Sequence, residues 1–229
     1  MRTHPGRISE IQIDLQGEPS AWVACPPQAI PAPGQYVRAW AAEGPHYTLA
    51  ASLFPASISE ESFRAAPPLP LTWQPGLALS LHGPLGRGFR LGEPVRRLAL
   101  AAFDSQAARL MPLADRAMKQ GGDVALFTDA VLPHLPPSFE LYPLASLPDA
   151  LSWADFLAVD ISLPGLKRLR PALGLGPEAH LPCLAQALVV TPMPCGGLAD
   201  CGACAVPARR GWRLACQDGP VFNLHELDW

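Results

Sequence analysis

The chain has 229 residues, a formal net charge of −3 and 49% hydrophobic residues. This length allows one large domain, or two small domains with an appendage, and the apolar content is enough for a core. The slightly acidic balance gives no reason to expect a nucleic acid partner. No stretch approaches the roughly 18 apolar residues of a membrane span, and the first residues lack the apolar core of a signal peptide. We therefore expect a cytoplasmic protein with reduced cysteines.

The first part of the chain, residues 1–95, has the pattern of a small β barrel. Short apolar or alternating runs are separated by Pro and Gly, which is typical of strands joined by tight turns. The predicted strands are Ile8–Leu15, Ala21–Ala24, Gln35–Trp40, Tyr47–Phe54, Leu69–Trp73 and Leu77–Leu81.

The second part, residues 96–182, alternates strand and helix patterns, which favours an α/β domain with a parallel sheet. The predicted elements are the strands Leu98–Phe103, Asp123–Thr128, Phe139–Leu141 and Phe156–Ile161, and the helix Ser105–Gln120. A dinucleotide site needs glycines in the turn after the first strand, so that the pyrophosphate can reach helix N–H groups. That turn has no glycine here, and Asp104 would repel a phosphate. NADH binding is therefore not expected.

The third part, residues 183–229, is predicted to hold an iron–sulfur cluster. Its thiols are Cys195, Cys201, Cys204 and Cys216. The spacing C-x5-C-x2-C-x11-C is one residue longer in its first gap than the plant-type pattern of [2Fe–2S] ferredoxins. The glycines Gly196, Gly197 and Gly202 would let the backbone wrap closely around a small inorganic core. We therefore predict a [2Fe–2S] cluster with these four cysteines as ligands.

Two other uses of these cysteines remain open. A structural zinc site usually takes two C-x2-C pairs, and this chain has one, Cys201 and Cys204. A disulfide framework suits small secreted chains, which this chain does not resemble. The remaining cysteines, Cys25 and Cys183, fall outside the pattern and are expected to be small buried apolar residues.

The motifs around the cysteines resemble a known family. Met193-Pro-Cys-Gly-Gly and Cys216-Gln-Asp-Gly-Pro-Val-Phe222 are similar to the C-terminus of the electron-transfer subunit of dihydroorotate dehydrogenase B. In the barrel, Pro33–Val37 and Leu81–Phe89 resemble stretches of ferredoxin-reductase-type barrels. The resemblance implies a ferredoxin-reductase-like fold with three parts: a flavin-binding β barrel, a nicotinamide-binding α/β domain and a small C-terminal [2Fe–2S] domain.

The resemblance also implies where FAD would bind. The family carries Arg-Pro-x-Ser between the two barrel motifs, where the arginine neutralises the pyrophosphate and the serine approaches the isoalloxazine. The corresponding positions here are Ala51, Ser52, Leu53 and Phe54, so that Ala51 replaces the arginine and Phe54 the serine. A diphosphate without a cation loses its strongest contacts. FAD held by other residues, with Arg38 or Arg64 compensating, and a barrel without FAD both remain open.

As a function, the resemblance implies an electron-transfer subunit rather than a stand-alone catalyst, with no catalytic residue of its own. In the family, the cluster connects FAD to the FMN of a catalytic dihydroorotate dehydrogenase subunit, an enzyme of pyrimidine biosynthesis. The expected state is therefore a hetero-oligomer with that flavoprotein subunit. Two alternatives are a complete NADH:FAD reductase subunit and a zinc-stabilised scaffold without redox function.

Overall fold

The fold combines two large sheets and one small hairpin. The structure, a computed structural model, describes residues 3–14, 17–42, 50–92, 95–104, 107–130, 139–177 and 179–229. The first sheet has seven strands, the second has six, and the hairpin has two. Each large sheet has its own cluster of buried apolar side chains. None of the described helices is long and apolar enough to cross a membrane.

The seven-stranded sheet is the predicted barrel. Its strands are β1 (Thr3–Ile13), β2 (Pro19–Ala24), β3 (Tyr36–Ala41), β4 (Ala51–Leu53), β5 (Pro55–Ile58), β6 (Ser62–Ala65) and β7 (Ala78–Leu85). They lie in the order β4-β3-β7-β1-β2-β6-β5, and neighbouring strands are antiparallel. Alternate residues point inward, so that Ile8, Val23, Phe63 and Leu81 fill the core.

One predicted barrel strand is wrong, and two strands were missed. Leu69–Trp73 is a turn in which Leu71 is 93% exposed. Prolines at positions 68, 70 and 75 surround it, and proline cannot donate a ladder hydrogen bond. The chain instead forms β5 and β6 before this turn. The predicted strand Tyr47–Phe54 is observed only as β4, and its first residues lie outside the described part of the chain, as does Leu15.

The six-stranded sheet confirms the predicted α/β architecture. Its strands and helices are β8 (Arg97–Ala102), α1 (Met111–Lys119), β9 (Asp123–Thr128), β10 (Glu140–Tyr142), α2 (Leu147–Trp153), β11 (Phe156–Ser162), α3 (Leu166–Ala172) and β12 (Leu184–Val190). After the hairpin strands β13 (Ala205–Pro207) and β14 (Trp212–Leu214), the strand β15 (Val221–Asn223) completes it. The order is β10-β9-β8-β11-β12-β15, and only the β12–β15 pair is antiparallel.

The predicted helix Ser105–Gln120 is shorter than expected. A 3-10 turn covers Ala107–Leu110, and α1 starts only at Met111 with Pro112 in its first turn. Proline is tolerated there because the first N–H groups of a helix have no internal partner. Gly121 follows the helix at φ +80°, as expected of a glycine that ends one. Ser105 and Gln106 lie outside the described residues, and the helices α2 and α3 were not predicted.

The C-terminal part of the chain is built into the α/β sheet. Strands β12 and β15 belong to the range 183–229 that was assigned to the cluster, yet they extend the sheet of residues 96–182. The hairpin β13–β14 lies between them in sequence. The cysteine segment is therefore anchored at both ends by strands of a buried sheet. The three domain ranges themselves stay a prediction.

Candidate metal centre

The β13–β14 hairpin brings two distant cysteines together. Cys204 directly precedes β13, and Cys216 lies two residues after β14. Ala205 pairs with Leu214, and the Ala215 N–H donates to the Cys204 carbonyl at 3.0 Å. As a result, the Sγ atoms of Cys204 and Cys216 lie 3.2 Å apart. Both residues are buried.

The glycine-rich loop before the hairpin brings together a second pair. The Sγ atoms of Cys195 and Cys201 are 3.6 Å apart. Gly196 and Gly197 have φ angles of +55° and +84°, which side chains rarely adopt, so glycine is required for this turn. Cys195 is half-buried, whereas Cys201 is exposed. The loop therefore holds one pair of sulfurs on the solvent side of the buried pair.

The two pairs form one group whose geometry fits a dinuclear centre. The Cys195 and Cys216 thiols lie near enough to shift each other's pKa, so the two pairs are neighbours. Two thiolates on one tetrahedral metal, at about 2.3 Å each, lie roughly 3.7 Å apart. Each pair is close to that separation. No three His, Cys, Asp or Glu side chains among the described residues are arranged around a single metal ion. The donors fit two metal ions with two thiolates each better than one zinc with four.

The pKa values of Cys195 and Cys216 are shifted in opposite directions. Backbone hydrogen bonds from Ala199 and Gly197 lower the pKa of Cys195 to about 7. Burial, followed by the neighbouring Cys204 thiol, raises the pKa of Cys216 to about 12. A metal must displace the proton of each ligand thiol, and its own charge supplies the compensation that the buried pair lacks. Burial therefore disfavours a free thiolate at Cys216, and a bound cation would supply the missing compensation.

The barrel motifs contact the cysteine segment directly. The Arg87 N–H donates to the Gly219 carbonyl at 2.5 Å, and the Val221 N–H donates to the Arg87 carbonyl at 3.3 Å. Gly86, at φ +74°, lies so close that a Cβ there would be 2.6 Å from the Pro220 ring. The glycine-rich barrel turn and the Asp-Gly-Pro motif after Cys216 are therefore two sides of one contact.

The arginines that could replace the missing flavin cation are used elsewhere. Arg38 donates through Nη2 to the Pro194 carbonyl at 2.6 Å, and its side chain lies against Gly196. Arg64 donates through Nη1 to the Gln12 side chain at 3.4 Å. One arginine thus secures the cysteine loop, and the other lies along the barrel wall.

The four flavin-motif positions are occupied by packing residues. Ala51, Ser52 and Leu53 form β4 and pair with β3. Phe54 is 6% exposed, and its ring lies 5.6 Å from that of Tyr36. These residues offer neither a cation for a pyrophosphate nor a hydroxyl at the serine position. On charge and shape they do not fit the FAD contacts of the family motif.

The carboxyl edge of the parallel sheet is closed by internal ion pairs, which sequence reasoning missed. Arg109 binds Asp160 with Nε–Oδ2 at 2.7 Å and Nη2–Oδ1 at 3.0 Å, and its Nη1 donates to the barrel carbonyl of Pro67 at 3.3 Å. Both side chains are buried. This edge is where open α/β sheets bind nucleotides. Asp160 lies within a continuous apolar strand pattern, so only its charge could have marked it.

The turn after β8 also holds an ion pair at the position where a pyrophosphate would bind. The Asp104 carboxylate accepts hydrogen bonds from the Ser162 N–H at 2.9 Å and from the Ser162 hydroxyl at 2.7 Å, and it pairs with Arg168. A pyrophosphate at this turn would meet a carboxylate already engaged by the neighbouring strand end. The residues present do not fit a nicotinamide dinucleotide.

The two remaining cysteines are placed apart from the group of four. Cys25 is buried in the barrel core, where burial raises the pKa of its thiol to about 11. Cys183 packs against the core of the α/β sheet, and burial likewise raises its pKa. Both positions agree with small apolar residues. The assignment of the four clustered cysteines as ligands stays a prediction.

Comparison with known proteins gives a family for the cysteine segment. Residues 192–228 match the family described as the iron–sulfur cluster binding domain of dihydroorotate dehydrogenase B. The segment is similar to that domain. The match confirms the predicted resemblance to the C-terminus of the dihydroorotate dehydrogenase B electron-transfer subunit. No curated protein matches the chain at the level of sequence.

Solved structures confirm the ferredoxin-reductase-like fold of this chain. One is an NADH-dependent reduced ferredoxin-NADP oxidoreductase, with TM-score 0.74, 19% identity and coverage of 98% of this chain and 90% of that chain. Another is a Neisseria gonorrhoeae ferredoxin NADP+ reductase with bound FAD and NADP, with TM-score 0.56, 13% identity and coverage of 82% and 99%. A third is the ferredoxin reductase of carbazole 1,9a-dioxygenase in its FAD apo form, with TM-score 0.57, 14% identity and coverage of 77% and 65%.

Proposed function

We propose that this chain is a cytoplasmic electron-transfer subunit that holds one [2Fe–2S] cluster on Cys195, Cys201, Cys204 and Cys216. The observation that carries the proposal is the arrangement of four free thiols as two pairs, with Sγ–Sγ separations of 3.6 Å and 3.2 Å. When bound, such a cluster accepts and returns single electrons. The chain's own contribution is to hold the thiolates, to bury the inner pair and to leave the outer pair near solvent.

The proposed partner is a catalytic flavoprotein subunit of the dihydroorotate dehydrogenase type, which would form a hetero-oligomer with this chain in pyrimidine biosynthesis. The surface beside the cysteines suits a protein partner. Leu198, between the first two cysteines, is 63% exposed, and Trp212, at the hairpin, is 67% exposed. Tryptophan and arginine are enriched where protein interfaces carry most of their binding energy.

The proposed partner surface is positively charged. Arg209, Arg210 and Arg213 flank Trp212 on the hairpin and are exposed. Within the described residues none of the three makes an ion pair. A basic, apolar surface on a chain of net charge −3 favours docking against an acidic surface.

A complete NADH:FAD reductase subunit is the alternative function, and FAD-binding relatives of the same fold support it. It would need FAD contacts other than the family motif, because Ala51 and Phe54 supply neither the cation nor the hydroxyl. A zinc-stabilised scaffold is less well supported, because the thiols form two pairs. Because Ala51 and Phe54 replace the family's FAD contacts, we place the electron donor outside this chain.

An electron-relay assay tests the proposal. The anaerobically purified chain is mixed with a catalytic dihydroorotate dehydrogenase subunit, dihydroorotate is added, and the visible absorption of the cluster is followed. We expect bleaching that requires the catalytic subunit, and no bleaching by NADH alone. Bleaching by NADH without any partner would support the alternative reductase. Absence of bleaching with the partner, in protein with full iron content, would contradict the proposed pairing.

A further inference from the structure

Side chains of the barrel strand β3 point alternately toward the barrel core and toward the second buried cluster. Val37 and Ala39 lie in the barrel core. Tyr36 lies in the other buried cluster, which also contains Cys204 and Cys216. Because side chains alternate along a strand, Tyr36 and Arg38 share one face. That face is the one turned toward the cysteine segment, since Arg38 reaches the Pro194 carbonyl.

The Tyr36 hydroxyl is a buried donor without a hydrogen-bond partner among the described residues. The side chain is fully buried, and Phe54 and Gly86 fix the position of its ring. The hydroxyl is therefore held as a buried donor in the same apolar cluster as Cys204 and Cys216.

Arg38 carries a second donor of the same kind. Its Nη2 is engaged by the Pro194 carbonyl and its aliphatic part lies against Gly196, yet its Nε is buried without a partner in the described chain. Buried donors normally have partners, because leaving one unsatisfied is costly. Two such donors on the face of β3 that contacts the cysteine segment indicate an acceptor that the polypeptide itself does not supply.

We propose that the Tyr36 hydroxyl and the Arg38 Nε–H donate hydrogen bonds to sulfur atoms of the bound cluster. The inference rests on the proposed function, since it takes the four cysteines to hold a cluster. Donors to the sulfurs stabilise the more negatively charged reduced state and therefore raise the reduction potential. The barrel would then tune the cluster through β3, which gives this domain a redox role without FAD.

A tyrosine-to-phenylalanine pair of variants tests the first donor. The reduction potential of the cluster is measured by spectroelectrochemical titration, and iron and sulfide are counted in the same samples. We expect Tyr36→Phe to lower the equilibrium constant for reduction about tenfold, which is about 59 mV for a one-electron couple. Tyr142→Phe is the matched control, because the Tyr142 hydroxyl donates to Glu140 at 3.0 Å on the protein surface. Its potential should equal that of the wild type.

An arginine-to-lysine pair tests the second donor and covers the case in which Tyr36→Phe loses its iron. Arg38→Lys keeps the charge but removes the Nε donor, so we expect a lower potential. Arg64→Lys is the control, because the Arg64 Nε is equally buried and without a partner among the described residues but lies on β6. Unchanged potentials in both test variants, at full iron content, would overturn the inference alone. A wild-type protein without iron would overturn the proposed function as well.

Discussion

The cysteine segment and the carboxyl edge of the parallel sheet differ in whether their polar groups find partners within the described residues. The cysteine segment holds four thiols without disulfides, and two buried donors on the neighbouring strand β3 have no hydrogen-bond partner within the described residues. At the sheet edge, Arg109 and Asp160 satisfy each other, as do Asp104 and Arg168. A bound group could satisfy the thiols and the neighbouring donors of the cysteine segment, whereas the charged side chains at the sheet edge already pair with one another.

This difference shows how one fold can keep its architecture while its binding sites diverge. The barrel and the sheet retain the ferredoxin-reductase-like arrangement, which depends on apolar periodicity and strand pairing. A dinucleotide site depends on a few glycines and cations, and here those positions are taken by Ala51, Phe54 and Asp104. Fold and function are therefore separable in this chain, since function depends on specific residues.

The largest effect is expected when one buried thiol of the cysteine group is replaced. We expect Cys204→Ser or Cys216→Ser to abolish the visible absorption of the cluster, because these two thiols are the buried pair of the proposed ligand set. Cys25→Ser and Cys183→Ser are the matched controls and should retain full iron content. The measurement is the absorption spectrum with iron analysis of anaerobically purified variants. A loss of colour in Cys183→Ser as complete as in Cys216→Ser would show that the ligand assignment is wrong.

The second prediction concerns the buried Arg109–Asp160 ion pair at the sheet edge. Asp160→Asn would leave the buried Arg109 guanidinium without its counter-charge, so we expect a loss of about 3–5 kcal/mol in the free energy of unfolding. Urea unfolding at constant pH measures it. Arg97→Gln is the control, since the Arg97–Asp155 pair is 47% and 43% exposed and should be worth at most about 1 kcal/mol. Equal losses in both variants would contradict a structural role for the buried pair.

The smallest effect on stability is expected at the hairpin surface. Trp212→Ala removes an exposed side chain, so the free energy of unfolding should change by no more than about 0.5 kcal/mol. Iron content should stay full, while the rate of dihydroorotate-dependent bleaching with the catalytic subunit should fall. Leu71→Ala is the control, because Leu71 is another exposed apolar residue and lies far from the cysteines in sequence. If Trp212→Ala and the control transferred electrons equally fast, the hairpin would not be the docking surface.

Sequence patterns predicted the architecture better than the sites. Alternating and continuous apolar runs located β2, β8, β9 and β11, because burial of one or both strand faces leaves a direct pattern. Leu69–Trp73 was misassigned because its apolar residues are separated by prolines that exclude ladder pairing. The meeting of the four thiols could be predicted because these cysteines lie close together in sequence. The Arg109–Asp160 pair could not, since its partners are 51 residues apart and meet only through the sheet.

The β3 donors could not have been found from sequence either. Tyr36 and Arg38 lie in an ordinary strand pattern about 160 residues before the cysteines. The packing of Gly86 against Pro220 and of Arg38 against Gly196, together with the Arg38–Pro194 hydrogen bond, brings that strand to the cysteine segment. Long-range contacts of this kind depend on the close approach that the glycines permit, and a single sequence does not show which glycines meet which partners.

The most direct test of the account is a count of iron, acid-labile sulfide, zinc and flavin in one anaerobically purified sample of the full chain. Two thiol pairs predict about two irons and two sulfides per chain. The occupied nucleotide positions predict no flavin. One zinc per chain without sulfide would contradict the cluster, and one FAD per chain would contradict the account of the barrel and the sheet edge.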